Sequence, residues 1–432
     1  MIDQLISILK ESFKALPDIR RDNQRYSLDS LLNLAFAMFH LKDSSLSLFR
    51  QQFSVRGVNL EKVYGVSALP GDTALREAID GVEPELLQSC FSTLIDFLEK
   101  AGVLKKRQVL SSLGGHLVVA VDGTGHYCSG KQHCEHCLVK TSRTGETQYY
   151  HQALGAVNVH PNSSEVFAIV AEAIVKQDGQ TKNDCELNAA KRLLPKIREI
   201  MGKARIITVF DALYCNGQHI AALQAQDMRF IIATKGQTFV DVQADRLKRD
   251  GQLQQVSWTE ASLSNTLVYT FNYANDLILN GQHPDCRVNY FELTVTDKKT
   301  GERMYYGTFV TDILITDTLA KELEQVARCR WKIENETFNT LKNQGYHLEH
   351  NYGHGKKYLA TNFMLLTFLA FLIDQMAQYL DRDFQAAKNA AKTYKALWEL
   401  VRGLFYFVPV MSISAIYRFI AKKQKLNIPA LE

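Results

Sequence analysis

Three acidic residues stand where a phosphodiester-cleaving metal site would need them. Asp122 follows a β-branched run in VAVDGT, Asp211 follows another in TVFDALY, and Glu334 sits in the helical stretch RWKIENETFNTLK, residues 330–342. An aspartate placed after an apolar strand and before a small residue is aimed out of the sheet end, where α/β sheets bind ligands. Singly, each such aspartate does no more than start a turn. Three converging carboxylates are a donor set for Mg²⁺ or Mn²⁺, which take carboxylate and water oxygens. A pair of such ions activates an attacking water or hydroxyl and stabilises the leaving oxygen at a phosphodiester. At about 100° per residue, Glu334 falls on the same side of an α-helix as Trp331, Phe338 and Leu341, whereas Glu336 falls on the far side. Glu334 is therefore the expected partner of the two aspartates.

The elements that must position these groups are legible as changes of period. Residues 1–110 read as helical, with three- and four-residue apolar spacing in 27–41 and 84–104 and an N-cap expected at Asp72. From His116 the pattern becomes strand-like: 116–124, then 148–160 and 165–175 joined by a turn at Pro161-Asn162-Ser163. A helix over 183–201 follows, with Asn183 and Glu186 spaced as a capping box. Next come a strand at 204–213, a helix at 216–226 and a strand at 229–236. Three adjacent strands followed by two helical crossovers predict a mixed sheet with flanking helices. Residues 237–316 break this rhythm with alternating runs and are expected to form a β-rich insertion. The helix of Glu334, within 317–355, then completes the core, and 356–432 form a helical C-terminal region.

This order, the aspartates in VAVDGT and TVFDALY, the β-rich insertion and RWKIENETFNTLK together resemble a DDE transposase of the IS4-like group, with an RNase H-like catalytic core. The arginine, three residues, glutamate spacing of Arg330 and Glu334 is the most specific element. The chain departs from that group's signature at two positions. Ala327 stands where a tyrosine is usual, and Leu341 where a lysine is usual, with Lys342 beside it. The resemblance implies Asp122, Asp211 and Glu334 as catalytic metal ligands for Mg²⁺ or Mn²⁺. It also implies DNA-phosphate contacts from Arg330 and Lys342. The expected activity is hydrolysis at the ends of an insertion sequence followed by strand transfer to target DNA, by a homodimer assembled on DNA. A nuclease that cuts without joining, and a silent DNA-binding descendant, are the alternatives.

Other clusters have two readings each. HYCSGKQHCEHCLVK (126–140) carries Cys128, Cys134, Cys137 and His133, with a CxxC spacing that suits a structural Zn²⁺ and equally suits a reduced, hydrogen-bonded loop. Lys140 and Arg143 follow this loop and are candidates for DNA-phosphate contacts. RRDNQRYS (20–27) is either a solvated linker or a DNA-backbone contact. Asp184 and Glu186 are accounted for by helix capping. The histidine-rich 346–357 segment reads as a helix connection, a DNA-facing loop or a source of histidine ligands.

Composition narrows the classes. With 46% hydrophobic and 22% charged residues the chain has enough apolar material for sizeable cores, and a net charge of +4 permits nucleic acid as partner without demanding it. No secretory signal pattern is present at the start. The most apolar run, Phe363 to Ile373, is about half the length that spans a bilayer and reads as a buried helix, so no membrane partner is expected. Eight cysteines without an export signal imply reduced thiols or a metal site, and a cytoplasmic, prokaryotic, nucleoid-associated protein.

Overall fold

The computed structural model describes residues 1–20, 24–176, 184–261 and 265–423. Among the described residues, eleven strands form one mixed sheet. In chain order they are β1 (Gln108–Val109), β2 (His116–Ser129), β3 (Leu138–Thr141), β4 (Thr147–His160), β5 (Ser163–Ile174), β6 (Ile206–Phe210), β7 (Met228–Ala233), β8 (Gln254–Ala261), β9 (Thr266–Asn280), β10 (His283–Asp297) and β11 (Arg303–Thr311). β5, β4 and β2 pair antiparallel as a meander, and β6 and β7 add in parallel beside β2. This is the RNase H-like arrangement expected from the pattern of periods.

The central strands are continuous β-branched or aromatic runs because both of their faces are covered. All five residues of β6 are buried, as parallel strands between helical layers require. Helices Glu186–Met201 and Leu359–Leu380 pack on β5, and Gly217–Ala225 packs on β7. The β-rich insertion does not form a separate layer. β11 pairs antiparallel with β7, so β11, β10, β9 and β8 extend the core sheet beyond its last parallel strand.

Helix Leu359–Leu380 has 22 residues and is long and apolar enough to cross a membrane, but 89% of its most apolar window is buried inside the protein. It contacts the N-terminal helices Leu28–His40 and Pro84–Lys100 as well as β5. Asp374 on this helix is buried and ion-paired with Lys42 of the N-terminal region, and the Tyr346 hydroxyl donates to it at 2.6 Å. A buried charge of this kind persists only when paired and hydrogen-bonded. It therefore ties the N-terminal helical region to the C-terminal one.

Several local expectations are corrected. Gly71, not Asp72, is the N-cap of helix Asp72–Asp80, and Asp72 instead pairs with Arg76 one turn on. Helix Glu186–Met201 is preceded by Cys185 as N-cap with no side-chain cap, while Asn183 lies outside the described residues, as does Arg21 of the basic 20–27 segment. The insertion opens with helix Phe239–Arg249, whose Thr238–Asp241 capping box ends the strand-like reading there. Asp122 does not close its strand. β2 runs on to Ser129, so the aspartate lies inside it.

Candidate active site

The two aspartates are brought together by sheet register. β2 and β6 pair in parallel from Leu117 opposite Ile206 to Ala120 opposite Val209. Asp122 and Asp211 each follow two residues beyond the last of these pairs, where the strands part. Each carboxylate is oriented by backbone. The Gly123 N–H donates to Asp122 Oδ1 at 2.8 Å, and the Leu213 N–H donates to Asp211 Oδ1 at 2.9 Å. The latter bond caps the short 3₁₀ turn Ala212–Tyr214 that forces the chain away from the sheet end.

The third carboxylate arrives on an irregular helix. After helix Ala320–Arg328 the chain forms a π-helical segment, Ile333–Phe338, in which the Asn339 N–H donates to the Glu334 carbonyl five residues back. Such widened turns cluster at functional sites. The wider turn invalidates the α-helical wheel used on the sequence. Trp331 is 41% exposed and Glu334 is exposed, whereas Ile333, Phe338 and Leu341 are buried. Glu334 is thus not among core side chains but is turned out beside them. The segment packs on β2, β4 and β5. Phe338 fixes it there: its ring lies over Gly155, the β4 residue paired with Asp122, and a Cβ at that glycine would sit 3.2 Å from Phe338 Cε1.

Arg330, at the entrance to this segment, donates from Nη1 to Asp122 Oδ2 at 3.1 Å. Burial raises the Asp122 pKa, and the charges of Asp211 and Glu334 raise it further, against the Gly123 N–H and the Arg330 guanidinium. Both of the other carboxylates are therefore close enough for their charges to act on Asp122, and one arginine does not neutralise the three. Glu336 is directed elsewhere. It lines a separate cavity of about 130 Å³ with Tyr346, Asp374, Tyr394 and Trp398.

Glu186 is a rim residue that the sequence reading assigned to capping. Its carboxylate lies directly over Gly123, so that a Cβ at that glycine would overlap it. Burial, then Asp122, then Asp211 raise its pKa, and the Tyr214 hydroxyl donates to Glu186 Oε2 at 3.4 Å. Glutamate at a helix start is ordinary, so nothing in the chain singled this one out. The glycine after Asp122 was the available signal, because only a missing side chain admits a carboxylate there.

The remaining sequence candidates are placed as follows. Lys342 pairs with Glu349 at 2.9 Å, and Leu341 is core. Lys140 and Arg143 are exposed on the β3–β4 hairpin. A groove of about 620 Å³ beside Arg330 is lined by Lys235, Arg328, Tyr305, Tyr306 and Trp331. Basic side chains interleaved with aromatics suit a nucleic-acid backbone and its bases.

The cysteine-rich loop is organised differently from the expected set of Cys128, Cys134, Cys137 and His133. Cys134 and Cys137 converge with His151 of β4 and with His354 of the loop after the Glu334 helix. Cys128 is exposed, and His133 stacks on Tyr149 with ring centroids 4.2 Å apart. Neither belongs to the cluster.

Two aspartates on neighbouring parallel strands, overlaid by a segment that carries arginine and glutamate, thus sit on an RNase H-like mixed sheet. The chain belongs to the transposase DDE domain family, whose sequence pattern matches residues 113–373. No curated protein sequence matches it. Among solved structures, a piggyBac transposase synaptic complex with hairpin DNA is similar over 99% of this chain and 80% of that one, at 9% identity and a TM-score of 0.40.

Proposed function

We propose that the protein is the transposase of an IS4-like insertion sequence. In this reading it cuts DNA at the element ends in a Mg²⁺- or Mn²⁺-dependent reaction and joins the freed 3′-hydroxyl to target DNA. The proposal is supported by the parallel pairing of β2 and β6, which ends two residues before Asp122 and Asp211, by the Arg330 contact to Asp122, and by the charges of Asp211 and Glu334 acting on Asp122. The donor set fits a hard divalent cation. All three side chains offer oxygen, and their mutual repulsion is the kind that a bound cation relieves.

Asp122, Asp211 and Glu334 would hold the metal, with Glu186 close by. When bound, the ions supply an activated hydroxyl and charge stabilisation at the scissile phosphate. The chain's own residues do the rest. The Gly123 and Leu213 amides fix the carboxylate orientations. Arg330 holds Asp122 in the free protein and is placed to exchange that contact for a DNA phosphate. Lys342 would do the same from its pairing with Glu349. Lys140, Arg143 and the basic, aromatic groove offer a path for the DNA flanking the cut. Assembly as a homodimer on DNA, in the cytoplasm of a prokaryote, belongs to the same proposal.

The test is to incubate the full chain with Mg²⁺ and DNA carrying the element's own flanking ends. Strand-transfer products that vanish in Asp122→Asn support the reading. Cleavage without joined products would instead identify a nuclease.

A further inference from the structure

Among the described residues, one group of side chains has ligand geometry, and it lies apart from the carboxylate rim. Cys134 and Cys137 lie in the loop between β2 and β3, His151 on β4, and His354 in the loop leading to helix Leu359–Leu380. Their donor atoms all lie within 4.8 Å of one another. The Sγ atoms of Cys134 and Cys137 are 3.7 Å apart. His151 Nε2 is 3.4 Å from each sulfur. His354 Nδ1 is 3.7 Å from Cys137 Sγ and 3.2 Å from His151 Nε2.

These separations can be compared with a tetrahedron. Zinc bonds of about 2.3 Å to sulfur and about 2.0–2.1 Å to nitrogen give edges of about 3.8 Å for S–S, about 3.6 Å for S–N and about 3.3 Å for N–N. Five of the six edges lie within a few tenths of an ångström of the ideal, and the sixth, between Cys134 Sγ and His354, is no longer than 4.8 Å. Four donors from three separate chain segments meet the geometry at once. The surroundings are those of a closed site. Cys137 is fully buried and His151 is 5% exposed, while Tyr127 packs edge-on against His354 with centroids 4.2 Å apart. The Cys134 N–H donates to Cys137 Sγ at 3.3 Å, a bond that favours the thiolate.

We infer that Cys134, Cys137, His151 and His354 form a structural Zn²⁺ site, a Cys₂His₂ centre with no open position. Its place in the fold says what it does. It joins the loop that follows the Asp122 strand to the loop that follows the Glu334 helix. The same two loops also touch through Asn351, which donates to Gln132 Oε1 at 2.6 Å, and through His136 Nε2 at 3.3 Å from the Lys356 carbonyl. The 350s loop is in turn held by the N-terminal helices. Asp80 accepts from the amides of Lys356, Lys357, Tyr358 and Leu359 at 2.8–2.9 Å. The ion therefore locks three parts of the chain together close to the rim and takes no part in the chemistry there.

The experiment is elemental analysis of the full-length protein, expressed with zinc and dialysed against a weak chelator. About one zinc per chain is expected, since a thiolate-containing site is formed as part of folding. His151→Ala, His354→Ala and the Cys134→Ser/Cys137→Ser pair should lose it, and Cys128→Ser and His133→Ala should keep it. Because the double variant can fail to fold, Co²⁺ reconstitution of the wild-type chain is the second readout. Intense visible d–d bands with thiolate-to-cobalt charge transfer are expected. Zinc far below one equivalent together with absent cobalt bands overturns the proposal. Zinc lost from Cys128→Ser but kept in His354→Ala overturns the ligand set.

Discussion

The carboxylate rim and the cysteine–histidine cluster grow from the same strand and the same helical return, yet they are built in opposite ways. At the rim the donors are oxygens, Glu334 is exposed, the Asp122 side chain is 20% accessible, and a wide basic groove opens alongside. In the cluster the donors are sulfur and nitrogen, crowded by Tyr127 and largely shut off from water. Hard cations on carboxylates exchange and keep water ligands, which leaves room for a phosphate. A closed tetrahedral thiolate–imidazole site keeps its ion and contributes to folding instead. The comparison teaches that proximity in the fold does not imply shared chemistry. On the proposed function the rim is open because a substrate must enter, and on the proposed zinc site the cluster is closed because three chain segments must stay together.

The largest effect expected on activity is at the rim. Asp122→Asn, Asp211→Asn and Glu334→Gln should each lower cleavage by more than about a hundredfold, beyond the 10–100-fold typical of residues that only support a ligand. DNA affinity by gel shift should survive, because lysine and arginine contacts to phosphate carry most of it. A near wild-type rate in any of the three removes that residue from the site. Changes to the cluster should invert this pattern. In Cys134→Ser/Cys137→Ser the thermal midpoint should fall by several degrees, equivalent to roughly 1–3 kcal/mol or more. The folded remainder, assayed well below that midpoint, should still cleave.

Glu186 sharpens the boundary between the two behaviours. Glu186→Gln should reduce cleavage by about 10–100-fold, as expected for a group that tunes ligands rather than replacing them. Gly123→Ala should act similarly by pushing the carboxylate away. The pH dependence has a defined sign. Burial and neighbouring charge raise the pKa values of Asp122 and Glu186, so the folded chain holds these protons more tightly than the unfolded one. Their contribution to stability is present below the ordinary carboxylate range near about 4 and is lost as pH rises through the raised values. Metal-free protein should therefore gain thermal stability from Asp122→Asn at neutral pH. Protons compete with the cation, so cleavage should fall on acidification at a pH above that range. The smallest effects belong to Lys140→Ala and Arg143→Ala, each expected to reduce the salt slope of DNA binding by about 1 without changing the cleavage site.

What could be read in the chain follows from how local each signal is. The strand that holds Asp122 and the strand before Asp211 are legible as apolar β-branched runs that meet a charge, although the run of β2 continues past Asp122 to Ser129. Their pairing follows from the meander and crossover order. The π-helical turn at Ile333–Phe338 was not legible. Its hydrogen bonds reach five residues back, and the apolar spacing around it reads equally well as an ordinary α-helix. The α-helical wheel sets Glu334 on a core face, whereas the structure turns it out to solvent. The CxxC pair was visible as a local spacing. Histidine ligands are one reading of 346–357, but their pairing with the CxxC is not local, because His151 is on the next long strand and His354 is 217 residues beyond Cys137. Cys128 and His133 were closer in sequence and stood in for them.

The central claim is that Asp122, Asp211 and Glu334 form a single cation site that excludes Glu336. Anomalous diffraction from crystals of the full chain soaked in Mn²⁺ tests it most directly. The account expects a manganese peak with oxygens of all three carboxylates within about 2.0–2.6 Å, the range of hard divalent cations, and no peak in the cavity beside Glu336. Manganese bound at Glu336, or a peak touching the aspartates while Glu334 stays out of reach, would contradict it.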